Sequence, residues 1–239
     1  MTASMIPPSP GLVVLDASFR YGDIVVLDDE SLSVEPGETL VVTGENGVGK
    51  STLLYLCAGL IPVSSGAVLL DGRSPDRVHP SALFRAGVRR GFVFQQGGLL
   101  SNLSAFANVV LALRYHADVL GLDEATVDRR ARDALARMDV ARADMHALPA
   151  HLSFGVRKRV AVARALALEP NFMFFDDPDA GLDPESARLV QDLLVSCRDD
   201  PRITSVVASN HRGLLDRLEV QPHELCGGKL LQRVSRFVV

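Results

Sequence analysis

The sequence predicts an α/β fold: a mainly parallel sheet core, an N-terminal antiparallel β part and an inserted helical subdomain. Three observations carry that expectation. Short apolar runs separated by turn residues fill 11–43, helical periodicity with charged opposite faces dominates the middle of the chain, and strands alternate with helical stretches after residue 153.

Taken in order, the Pro-rich start, with Pro7, Pro8 and Pro10, reads as a flexible lead-in over 1–10. GLVVLDASF, IVVLDD and SLSV follow as strand candidates, antiparallel at first, and Pro36-Gly37 turns the chain into ETLVV. A helix is expected over 50–60, a strand at 67–70 and a short strand in GFVF at 91–94, which completes a first core segment over 11–96. LSAFANVVLALRYHADVL and DEATVDRRARDALARMDV then repeat apolar residues at helical spacing. They mark a helical subdomain over 97–168 that closes with a helix at 155–168. The core resumes over 169–239 with the apolar strand NFMFF, a helix at 184–197, the strand TSVVA and two short strands flanking Gly227-Gly228. Strands alternating with helices imply a parallel sheet covered on both faces.

Composition excludes several classes. With 239 residues, 47% hydrophobic and 23% charged, the chain is long enough to bury a sizeable core and is not a disordered polymer. Its net charge of -4 gives no electrostatic drive toward nucleic acid. The Arg129 to Arg137 run is interleaved with Asp128 and Asp133 and reads as a solvated helix face. Cys57, Cys197 and Cys226 are odd in number and widely spaced, which suits a reducing compartment and no metal motif. Residues 51–70 and 91–113 carry no charge and are long enough to cross a bilayer. Pro62, Ser64 and Gly66 interrupt the first, and Gln95, Gln96, Asn102 and Asn108 load the second with polar groups, so neither is a good spanning helix. The N-terminus lacks the basic and apolar regions of a secretory signal. A cytoplasmic chain able to sit against a membrane protein is expected.

The chemistry is concentrated in a few motifs. GENGVGKST, comprising Gly44, Glu45, Asn46, Gly47, Val48, Gly49, Lys50, Ser51 and Thr52, fits Gly, four residues, Gly-Lys-Ser/Thr between a strand and a helix. In such a phosphate loop backbone N–H groups surround the phosphates, Lys50 reaches the β- and γ-phosphates and the Ser51 hydroxyl ligates Mg²⁺. FMFFDD delivers Asp176 at the end of a buried strand, where a Mg²⁺-phosphate site needs a carboxylate. HLSFGVRKRVAVARAL opens a cationic helix with Ser153 at its head; alone it reads as an N-cap and a solvated face.

The ordered set, phosphate loop, FQQ, LSFG, FFDD and GLDP, resembles the ATP-binding subunit of ABC transporters from about Gly11 to at least Arg217. That resemblance implies a P-loop NTPase of ABC type that binds ATP and Mg²⁺ and hydrolyses ATP. Tyr21 in FRYG matches the aromatic residue that stacks on adenine, although a strand-surface Tyr reads equally well from the residues alone. Gln95 matches the glutamine that senses Mg²⁺ and the attacking water, with Gln96 leaving the register open. Ser153 and Gly155 match the residues that contact ATP held by a second copy, which implies a head-to-tail dimer. Asp183 matches a residue that communicates across that interface.

Three departures bear on mechanism. Phe154 stands where the family's LSGGQ has glycine, and its ring threatens close approach of the second ATP. Asp177 stands where the catalytic base is usually Glu, about 1.5 Å shorter in reach. A misplacement near 1 Å costs about 100-fold in rate. The switch histidine position aligns with Asn210, with His211 one residue later, and the sequence leaves open which of the two serves.

FQQGGLLSNLSAFANVVLALRYH and RKRVAVARALALEP are most similar to the Mla/Mce-type lipid-transport ATPases. That similarity implies integral-membrane permease subunits, a second ATP-binding subunit forming a homodimer, and a periplasmic Mce-domain lipid-binding protein. It implies phospholipid as cargo and a peripheral position on the cytoplasmic face of the inner (plasma) membrane. Two function classes stay open: a motor driving lipid movement, and a hydrolysis-impaired, nucleotide-gated or heterodimer-partner subunit. A chromosome-maintenance or DNA-repair ATPase fits poorly, because the stretch between Lys50 and Ser153 has no room for a long coiled coil.

Overall fold

A computed structural model describes residues 11–232; the lead-in over 1–10 and the last residues, 233–239, lie outside the described residues. The chain begins with β1 (Leu12–Tyr21) and β2 (Ile24–Val34), followed by β3 (Thr39–Thr43) and α1 (Lys50–Cys57). Next come β4 (Ser65–Leu70), α2 (Pro80–Arg85) and β5 (Arg90–Val93). The helical stretch comprises α3 (Ala105–Tyr115), α4 (Ala117–Leu120), α5 (Glu124–Arg137) and α6 (Phe154–Leu166). The chain then runs through β6 (Phe172–Asp176), α7 (Pro184–Asp199), β7 (Thr204–Ala208) and α8 (Arg212–Leu218) to β8 (His223–Cys226) and β9 (Lys229–Gln232).

Two sheets result, as the alternation predicts. One is antiparallel, ordered β2-β1-β4; the other is ordered β5-β6-β7-β3-β8-β9 and is parallel except for β9. IVVLDD and SLSV form one strand rather than two. Register shifts against β1 let the chain bend at Asp29, whose φ is 47°. The helix expected over 50–60 stops at Cys57, before Gly59 turns left-handed against Pro75. LSAFANVVLALRYHADVL divides into α3 and α4 at His116.

β6 shows why NFMFF reads as a continuous apolar run. Successive side chains point to opposite faces, so both faces need apolar residues when both are covered. Phe172 and Phe174 join a core formed with α1 and the antiparallel sheet, while Met173 and Phe175 join the core beneath the helices. Val42 and Val206 face the first core, Val41 and Val207 the second. Truncating a fully buried residue such as Phe175 to Ala costs about 3–5 kcal/mol.

Helix starts are capped by the residues the sequence supplies. Ser104, Asp123, Ser153 and Asp183 each accept a backbone N–H three residues on, and Pro184 occupies the first turn of α7. α6 packs both on α3 and α5 and on β5. It therefore touches the helical region and the parallel sheet at once.

Candidate functional site

The parallel strands β3, β6 and β7 end side by side, with Val42 paired to Ala208 and Ala208 to Asp176. The loops that leave these ends form the site, as expected at the carboxyl edge of a parallel sheet. Gly44, Gly47 and Gly49 have φ of 145°, 81° and 112°, a conformation that side chains rarely adopt. A Cβ on Gly44 would lie 2.6 Å from the Leu225 carbonyl oxygen, so the loop needs glycine for space as well.

Lys50 is 7% exposed and donates from Nζ to the Gly44 carbonyl at 2.8 Å and the Glu45 carbonyl at 3.0 Å. Ser51 donates from Oγ to Asp176 Oδ1 at 2.8 Å, and Tyr55 approaches Asp176 Oδ2 at 3.5 Å. The Tyr55 hydroxyl is pushed up by burial first and by the Asp176 carboxylate second. Tyr55 is a neighbour that the motif reading misses; its place one helical turn after Ser51 is the available signal.

Asp177 follows β6 with φ 39°, a strained conformation for a residue with a side chain, and donates its N–H to the Ala208 carbonyl at 2.9 Å. Burial, and then the neighbouring Asp176 charge, raise its carboxyl above the ordinary carboxylate range. A cavity of about 190 Å³ is lined by Asn46, Gly47, Gly49, Lys50, Ser51, Gln95 and Asp177. A wider hollow of about 620 Å³ shares Asn46, Gln95 and Asp177 and adds Asp179, Asn210 and His211. Gln95 lines both, and Gln96 neither.

Asn210 and His211 do different things. The Asn210 amide accepts the Gly44 N–H at 3.1 Å and donates to the Gly44 carbonyl at 2.7 Å, so both its polar atoms hold the start of the phosphate loop. His211 Nδ1 lies 2.6 Å from Asp179 Oδ2, which also accepts from Gln191 Nε2 at 2.7 Å. The Asp179 side chain is 1% exposed and that of His211 57% exposed. Asp179 went unnoticed in the sequence because the DPDAG run offers no pattern that distinguishes it from a loop carboxylate.

Lys158 is the other residue that the sequence reading passes over. It is buried in α6 and donates to the carbonyls of Phe94, Gln95 and Asp177 at 2.9, 2.7 and 3.2 Å. Burial pulls its ammonium down to about 8, an effect opposed by the charges of Asp176, Asp177 and Asp179.

Three candidate residues stand apart from both cavities. Tyr21 is half exposed at the end of β1, edge-on to Phe19 at 4.8 Å. Ser153 caps α6 through Val156 N–H at 3.2 Å. Gly155 packs against the start of α7; a Cβ there would lie 2.5 Å from Ser186 Oγ and 2.8 Å from Asp183 Oδ2. The Phe154 ring lies beside Gly181, within 3.5 Å of where a Cβ would stand, and beneath the Arg157 guanidinium at 5.7 Å. The ring is thus laid along the chain's own loop after β6.

The model of the ABC transporter family matches residues 27–180. The chain belongs to the ABC transporter family as an ATP-binding subunit. It is 32% identical over 197 residues to the intermembrane phospholipid transport ATP-binding protein MlaF of Haemophilus influenzae, covering 82% of this chain and 73% of that one. It is 36% identical over 222 residues to the glutamate/aspartate import ATP-binding protein GltL of Escherichia coli K12, covering 92% and 89%. Among solved structures, a dimeric post-hydrolysis state of the ATP-binding cassette MJ0796 bound to ADP and Pi superposes with a TM-score of 0.81 at 26% identity, covering 92% of this chain and 96% of that one.

The cassette is an ATP hydrolase that uses ATP and Mg²⁺, of a family whose cassettes dimerise and work with membrane permeases. The residues present fit both ligands. Ser51 Oγ and Asp176 converge beside Lys50, and the positive φ of Gly44, Gly47 and Gly49 gives the loop the kind of backbone that cradles phosphate. Among the described residues no cluster of three or more His, Cys, Asp or Glu is placed to hold a metal. Mg²⁺ held by one hydroxyl, one carboxylate and phosphate oxygens needs no such cluster. Among the described residues no helix is long and apolar enough to cross a membrane.

Proposed function

We propose that this cassette binds Mg-ATP at the interface of a homodimer and powers phospholipid movement through a membrane permease at the cytoplasmic face of the inner membrane. The observation that carries the lipid reading is the similarity to MlaF, an intermembrane phospholipid transport protein, over 82% of the chain. A periplasmic Mce-domain protein would complete such a system. Lys50 and the phosphate-loop amides hold the phosphates, Ser51 and Asp176 hold Mg²⁺, and Tyr21 takes the adenine. The Mg²⁺ that Ser51 and Asp176 would hold would offset the charge of the terminal phosphates. Gln95 and Asp177, which line the cavity, would act on the attacking water, and Ser153 and Gly155 would serve the ATP of the second copy.

The uncharged stretch 91–113 supplies Leu100, Leu111 and Ala112 to a largely apolar surface for a permease, with Arg164 and His116 at its edge. Leu100, Leu111, Ala112, Tyr115 and Leu168 line an open hollow of about 320 Å³, with Leu100, Leu111 and Tyr115 exposed. The test is reconstitution with the permease in vesicles and measurement of ATP-dependent phospholipid transfer beside glutamate uptake. Lipid transfer lost in Lys50→Ala supports the reading; amino-acid uptake without lipid transfer overturns it.

A second reading, a nucleotide-gated or heterodimer-partner subunit with little turnover, is favoured by Asp177 in its raised-pKa, left-handed setting and by the commitment of Asn210 to Gly44. Phosphate release by the purified chain, beside Lys50→Ala and Asp177→Glu, separates the two. Turnover above the Lys50→Ala background favours the motor. Turnover confined to Asp177→Glu favours the gated subunit.

A further inference from the structure

The pairing of β5 with β6 ends at Val93 and Phe175, and the two chains then diverge into the loops that carry Gln95 and Asp177. Lys158 spans the gap. Its ammonium has three donors and no acceptor, and all three go to carbonyls, two on the Gln95 side and one on Asp177. The side chain is 1% exposed, so water cannot take over these contacts. The Asp177 peptide is thereby held at both ends, its N–H by the Ala208 carbonyl and its carbonyl by Lys158. A residue at φ 39° needs such over-determination to persist. The cation also lies behind Asp176, Asp177 and Asp179, whose like charges crowd the site.

α6 supplies a useful contrast. Arg164 donates to the carbonyls of Gly98 and Gly97 at 2.8 and 3.2 Å, gripping the same loop without reaching Asp177. Lys158 alone among the two cations joins the Gln95 loop to the strand end. We propose that Lys158 is a positioning residue for ATP hydrolysis, fixing Gln95 and Asp177 relative to one another from within the helix that Ser153 caps. This rests on the reading of Gln95 and Asp177 as the water-side groups, and not on the identity of the cargo.

The test compares the full chain with Lys158→Met, Lys158→Gln and Arg164→Met. It reads steady-state phosphate release, the Kd of a fluorescent ATP analogue, and hydrogen exchange with thermal melting. Lys158→Met is expected to lose at least about 10-fold in kcat, since sub-ångström placement governs such steps, with Kd changed by less than about 3-fold. Lys158→Gln, which retains two N–H donors, is expected to recover part of that loss. Exchange protection should fall over 94–98 and 177–181 together in Lys158→Met, and over 94–98 alone in Arg164→Met. Wild-type kcat in Lys158→Met, a Kd increase that accounts for the whole loss, or general melting of α6 with no rescue by Gln would overturn the proposal. If the wild-type chain itself does not turn over, the motor reading fails. The exchange pattern then still decides the positioning role, with coupled loss at both loops supporting it and uncoupled loss overturning it.

Discussion

The phosphate-binding half of the site and its water-side half are built differently. The first is backbone: three left-handed glycines, the start of α1 and a lysine lying on two carbonyls. The second is a set of side chains reaching across from other elements, Lys158 from α6, Gln191 from α7 and His211 after β7. Backbone geometry tolerates neighbouring substitutions because it depends on few side-chain identities. A side-chain arrangement depends on length and charge at every member. Asp177 lies on that side and Phe154 in the signature, whereas Asn210 is the departure on the phosphate-loop side, where its amide holds Gly44. Nucleotide binding should therefore be robust in this cassette and hydrolysis should be fragile.

The largest expected effect tests the binding half directly. Lys50→Ala should lower phosphate release at least about 100-fold, the scale of losing one charge-stabilising donor, and weaken ATP binding in the same assay series. On the water side, Asp177→Glu should raise kcat about 10-fold while leaving Kd unchanged, by restoring the missing reach. Asn210→His should not add to that gain. It removes the amide's paired contacts with Gly44, and calorimetric titration should show ATP binding weakened several-fold, since each such bond contributes about 1 kcal/mol. His211→Ala should instead reduce kcat with ATP affinity retained; equal losses in both would erase the distinction between the two neighbours.

The smallest effect is on stability, and its sign follows from Asp177. Its folded-state pKa is raised above the ordinary 3.8, so the native state holds the proton longer than the unfolded chain. Stability falls as pH rises through that window, and the full cost is present above it. Asp177→Asn should thus melt higher than wild type at pH 7 without nucleotide, by about 2–4 °C per kcal/mol relieved. The gain should vanish as the pH falls below the ordinary carboxylate value, where both states are protonated. A melting-temperature difference independent of pH would show that the carboxylate charge is not the cause.

Much of the fold is legible because its signals are local. NFMFF announces a strand buried on both faces, GENGVGKST a phosphate loop between strand and helix, and Ser153 and Asp183 the starts of α6 and α7. The fusion of IVVLDD and SLSV into one bulged strand is not legible, since an Asp at φ 47° looks in sequence like any turn residue. Nor is the Phe154 ring's position. The residue type shows only that a bulky group stands in the signature, and the fold lays its ring beside Gly181 of the same chain.

The sequence by itself determined the α/β class, the phosphate loop and the order of motifs that places the chain among ABC cassettes, because each strand, helix and motif in that order is signalled by residues within a few positions of one another. Only the tertiary structure decided that Asn210 holds Gly44, 166 residues away, while His211 turns to Asp179, 32 away. It alone brought Lys158 to Gln95 and Asp177, at separations of 63 and 19. Those partners are chosen by which strands lie side by side and which helix packs over their ends. A buried ammonium or carboxylate must then satisfy itself with whatever groups that packing supplies.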